Sequence, residues 1–222
     1  MTTITTARSV LQRLRVGQQL YGAFAIVLLL TGVVGAVGLV GLQRLDAQAS
    51  VLSAKWLAGV GQLAGARTAL LEARDLEVRH SRAADRGYQA EYEDKLAAEA
   101  KAIGSATEAY SALVASDEER RLLAAFQKSW TGYQQAQQKV IALGRDKKRQ
   151  DAIDLSDGAA SAAIADATGA LDALIRYNFD GGKEAAAQAA ALSQQTRGTL
   201  IALLAVAMAL GLGFAFVITR QL

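Results

Sequence analysis

The chain has 222 residues, 24 Lys/Arg against 21 Asp/Glu, one His, and neither Pro nor Cys. Without Cys no disulfide forms, and one His with no clustered carboxylate–histidine spacing argues against a metal site. The net charge of +3 carries no nucleic-acid signal, because the excess lies in short flanks of two apolar segments.

Residues 1–19 form an N-terminal stub whose charged side chains are Arg8, Arg13 and Arg15. Residues 20–42 (LYGAFAIVLLLTGVVGAVGLVGL) and 198–219 (GTLIALLAVAMALGLGFAFVIT) carry no charge at all. At ~1.5 Å per helical residue, each is long enough for a hydrocarbon core of ~30 Å. All 21 acids fall between them, and Arg220 alone is charged after the second. Arginine-rich, acid-free flanks favour the cytoplasmic side. The expected layout is two transmembrane helices, both termini cytoplasmic, residues 43–197 displayed in the periplasm, and a truncated linker beginning at 220–222. Ala47-Gln48-Ala49 resembles a signal-peptidase site, but the apolar core is longer than the ~7–15 residues of a signal peptide.

Between the spans the expected fold is all-α, an antiparallel up-down four-helix bundle. No proline breaks a helix, and no stretch alternates with period two. Apolar or small residues recur at heptad spacing: Leu42, Leu45, Ala49, Leu52, Trp56, Gly59, Leu63, Ala66, Leu70 and Ala73. This predicts one unbroken phase from the first span outward, ending near residues 83–87. A second helix is expected over about 88–115. Ser116 and Glu119 then make a capping box for a third helix, which carries Leu123, Phe126, Trp130, Tyr133, Gln137 and Val140 and stops near Gly144. A last helix starts between residues 149 and 161, shows Ile164, Leu171 and Ile175 inward, and is loosened at Gly181-Gly182. The loops near Asp85 and Arg145 meet at the membrane-distal tip.

This layout resembles the input half of a bacterial methyl-accepting chemotaxis protein with a four-helix-bundle ligand-binding domain. Local likenesses are Glu72-Ala73-Arg74-Asp75-Leu76-Glu77-Val78-Arg79, Trp130 with Tyr133, the Gly144-Arg145-Asp146 turn, and Leu171, Leu174, Ile175 and Asn178. Ile218-Thr219-Arg220-Gln221-Leu222 is similar to the start of a HAMP linker, with Gln221 where proline is usual. The resemblance implies a homodimeric sensor portion of a longer protein, coupled to a cytoplasmic chemotaxis kinase complex, with no cofactor. It also implies that Arg74, Arg79 and Arg82 clamp a small anionic ligand, a dicarboxylate or amino acid, with Ser161 and Thr168 opposite. Arg74 and Arg79 match the family spacing, whereas Arg82 comes one residue early. An arginine fork suits a carboxylate because it donates bidentately. Counting from the membrane sets Arg74 level with Thr168, and Arg79–Arg82 level with Ser161. Arg79, Arg82 and Arg86 share the outward face.

Other readings stand beside this one. Each arginine also fits a solvated face among Glu72, Asp75, Glu77 and Asp85. Thr107, Tyr110, Tyr133 and Gln137 point inward with Ser161 and Thr168, which offers an alternative pocket within one bundle. The same module precedes histidine kinases and diguanylate cyclases, or serves a periplasmic binding protein instead of a free ligand. No nucleophile–base pair argues for an enzyme. Ala205, Ala209 and Gly213 give the second span a small-residue face for sliding contact.

Overall fold

The computed structural model describes residues 16–220, and no strand occurs among them. Arg8, Arg13, Arg15, Gln221 and Leu222 lie outside the described residues. In chain order the helices are α1 (Val16–Val51), a π-helical segment (Leu52–Leu57), α2 (Ala58–Arg82), α3 (Arg86–Ser111), α4 (Asp117–Arg145), α5 (Arg149–Leu155), a second π segment (Ser156–Ala160) and α6 (Ser161–Thr219). The chain divides into two compact units, Ser50–Ala185 and the pair Met1–Ala49 with Ala186–Leu222.

The first unit is a four-helix bundle. Its helices are the first π segment with α2, then α3, then α4, and finally α5, the second π segment and the start of α6. Leu63, Leu70, Ile103, Phe126, Val140, Leu171 and Leu174 form its buried axis. The turns are set by side-chain caps. Asp85 accepts from the amides of Gly87 (2.7 Å) and Tyr88. Ser116 accepts from the Glu119 amide at 3.1 Å while the Glu119 carboxylate returns to the Ser116 amide, so the expected capping box is present. Arg86 donates to the Arg145 carbonyl (3.3 Å) and Gln89 to that of Gly144 (3.4 Å), so the loops near Asp85 and Arg145 do meet, at one end of the bundle.

Two local expectations change. Arg86 does not continue the Arg79–Arg82 face, because the chain leaves the helix at Ala83 and Arg86 opens α3. Gly181-Gly182 does not loosen the last helix: α6 runs through it, and the Trp56 ring lies where a Gly181 side chain would be. The glycine is there for close approach.

In the second unit Gly41 is buried against Thr196, whose Cγ2 is 2.5 Å from where a Gly41 Cβ would sit. Val34, Val37, Leu45 and Gln48 continue that face on α1, while Leu200, Leu203, Ala207, Gly211 and Phe214 continue it on α6. Leu42 and Ala49 are exposed, so the heptad phase is not unbroken. A π turn holds one residue more than an α turn and rotates the rest of the helix by ~100°. Gly41, Leu45 and Gln48 therefore precede Leu52, Trp56 and Gly59. Ala205, Ala209 and Gly213 are exposed as well and do not form the face towards α1. Both units contribute to long helices with 18-residue windows of mean hydropathy 2.5 and 2.4, apolar enough to cross a membrane.

Candidate functional site

Each of the three expected arginines on α2 holds an acid of its own chain. Arg79 pairs with Asp75 one turn earlier at 2.7 Å, both side chains half or more exposed. Arg82 grips Asp157 of the second π segment with one nitrogen, 2.9 and 3.2 Å from the two carboxylate oxygens, in a largely exposed contact. Arg74 differs. Its side chain is 19% exposed, it pairs with a Glu77 that is 0% exposed, and it donates to both the hydroxyl (3.2 Å) and the carbonyl (3.1 Å) of buried Ser156.

The cross-helix contacts Arg67–Asp172 (2.8 Å) and Arg82–Asp157 fix the register between α2 and the last helix. In it Arg82 is level with Asp157, and Thr168 is level with about Leu71, nearly a turn from Arg74. Ser161 and Thr168 are half-buried, and among the described residues neither hydroxyl bonds an arginine.

The four residues of the alternative pocket are buried but do not gather into one site. Thr107 is satisfied within its own helix, donating to the Ile103 carbonyl at 2.6 Å. Tyr133 donates to the Ala73 carbonyl (3.4 Å) and accepts from Gln137 (3.5 Å), beside the Arg74–Glu77 pair. Burial, and then the Glu77 charge, push the Tyr133 hydroxyl well above the ordinary tyrosine range, while Arg74 pulls it down. Tyr110 belongs to a different cluster. It accepts from Asn178 (2.6 Å) and donates to Glu119 (3.4 Å), and burial pushes it up to about 12.

Glu119 collects groups from three bundle helices and is linked to the fourth through Ser116 and Tyr110. Its carboxylate accepts from the Ala115 amide (2.9 Å), the Ser116 amide (3.1 Å) and Lys55 of the first π segment (3.3 Å). Ser116 in turn meets the Tyr177 hydroxyl at 3.0 Å. At the end of the bundle where these two loops meet, buried His80 meets Glu93 at 3.0 Å, and Glu93 also takes two donors of Arg145. The Arg145 hydrogen bond is the main reason the Glu93 carboxyl lies below the usual carboxylate range.

A sequence match covering residues 13–193 has the description "Four helix bundle sensory module for signal transduction". The chain belongs to this family. No curated protein and no solved structure matches it. As a four-helix-bundle sensory module for signal transduction, the chain has a core seam that ends in charge. Sequence reasoning stopped that seam at Ala73, yet its next two positions are Glu77 and His80, both buried. Sequence reasoning thus missed Glu77, His80 and Ser156 as buried polar residues of the bundle. Continued heptad spacing would have found the first two. For Ser156 the signal is weaker: buried Ala152, Ser156, Ala160 and Ile164 recur every four residues, which only an inserted residue allows.

Proposed function

We propose that the chain is the input module of a two-pass transmembrane chemoreceptor that binds a small anionic solute, a dicarboxylate or an amino acid. It binds its ligand rather than converting it. The carrying observation is the exposed Arg82–Asp157 contact joining the first and last bundle helices at the distal end, with Arg79–Asp75 one turn away. Exposed ion pairs contribute only ~0–1 kcal/mol, so a free carboxylate can take either guanidinium from its resident acid. A ligand that favours one helix packing over the other biases the equilibrium between them. The shift is transmitted along α6 to a cytoplasmic signalling domain and its kinase complex. The arginine-rich, acid-free flanks support a periplasmic sensor domain with both termini inside.

The module acts as a homodimer. Outside its own bundle α2 and the turn before it expose Leu57, Gly61, Ala64, Thr68 and Leu71 at alternating four- and three-residue spacing, with Leu57 61% exposed and Leu71 46%. That is a second seam on the same helix. In a parallel pairing it brings Arg67 of one copy beside Glu72 of the other, opposite charges at the flanking positions.

The test is a thermal-shift screen of the full chain in nanodiscs against organic acids and amino acids. A hit among them that is lost in Arg82→Ala supports the reading. Silence to every anion, with capture of a periplasmic protein instead, overturns it.

A further inference from the structure

Arg74 sits in a site that is already complete. Its Nη2 donates to the carbonyl of Ser156, on a π turn, and its Nη1 is shared between the Ser156 hydroxyl and the Glu77 carboxylate. Tyr133 is close enough for its hydroxyl to respond to both charges. Glu77 is 0% exposed, yet its Oε1 is buried with no hydrogen-bond partner among the described residues. An ion pair selected only for stability would satisfy both oxygens or be replaced by apolar side chains, because burying charge costs about what the pairing returns. Here the Ser156 carbonyl holds Nη2 without help from the acid, and Nη1 is left to make a charge-assisted hydrogen bond to a carboxylate.

We propose that Arg74 and Ser156 form a carboxylate site whose occupant is supplied by the chain itself, as the side chain of Glu77. Glu77 is a resident ligand that holds α2 against the second π segment and defines the resting packing. A solute cannot take Arg74 from it without leaving Glu77 as an unpaired buried charge, so exchange is confined to the exposed arginines. The assignment of a resting state rests on the sensing function proposed above; the site itself does not.

Replacing Glu77 by alanine deletes a CH2–COO⁻ group, for which free acetate is the nearest equivalent. The experiment is thermal unfolding of full-length wild type, E77A and R74A/E77A in nanodiscs, titrated with acetate against acetamide at constant ionic strength. Acetate, and not acetamide, is expected to raise the E77A midpoint saturably by several degrees. Wild type and the double variant are expected to respond no more to acetate than to chloride. Equal responses of E77A to acetate and acetamide, or an equal acetate response in wild type, overturn the proposal. If E77A is unfolded in chloride, the same titration is read as recovery of helical circular dichroism, and no recovery overturns it. A wild type silent to every anion beside an E77A that answers acetate sinks the sensing reading alone; the converse sinks only this one.

Discussion

Glu119 is buried among donors from its own cap, Lys55 and Tyr110. Burial, the largest single influence, would raise its carboxyl, but the Ala115 amide, Lys55 and the Ser116 amide together hold it below the ordinary range. Glu93 is lowered in the same sense by Arg145. For a carboxyl with a lowered folded value, the stabilisation is fully present above the unfolded value of ~4.3 and is lost as pH falls through the folded one. Chemical denaturation of the full chain is therefore expected to show stability falling on acidification below about pH 4, with a shallower fall in Glu119→Gln. An unchanged acid limb in that variant contradicts the assignment. Ser116→Ala removes the reciprocal cap and is expected to cost about 1 kcal/mol, read in the same denaturation.

At the scale of elements, the two π segments explain most of what the sequence hid. Helix type, the capping box, the order of the four helices and the buried seam from Gly59 to Ala73 were legible, because period and caps are local signals. The phase change was not, since nothing in Leu-Ser-Ala-Lys-Trp-Leu marks an inserted residue. Its cause is tertiary: the π turn aims Lys55 at Glu119 and lays Trp56 on Gly181. The second π turn likewise carries Ser156 to Arg74 and Asp157 to Arg82. Gly181→Leu places a side chain where the Trp56 ring sits and is expected to destabilise the bundle by about 1–3 kcal/mol. Trp56→Ala in the same chain should restore part of that loss, seen as a non-additive double-mutant cycle. Additive losses contradict the contact.

At the scale of the whole molecule, residue types pointed to arginines at the distal end, but only the folded register sorts them. Arg74, one of the two arginines at the family spacing, is committed to a buried partner, whereas Arg82, which departs from that spacing, is paired where water and solutes reach it. Pairing partners one turn away or on another helix are set by side-chain reach, which spacing does not encode. If α2 forms the dimer seam, Leu71→Cys is expected to cross-link two copies under mild oxidation, while cysteine in place of buried Leu70 stays monomeric. The most direct test of the sensing account is calorimetry of full-length protein in nanodiscs with the anion selected by thermal shift. Wild type, Arg82→Ala and Arg67→Ala are compared, because Arg67 also bridges exposed to the last helix but lies farther from the tip. The account predicts at least a tenfold loss of affinity in Arg82→Ala, ~1.4 kcal/mol or more, and little change in Arg67→Ala. Equal affinity in all three proteins contradicts it.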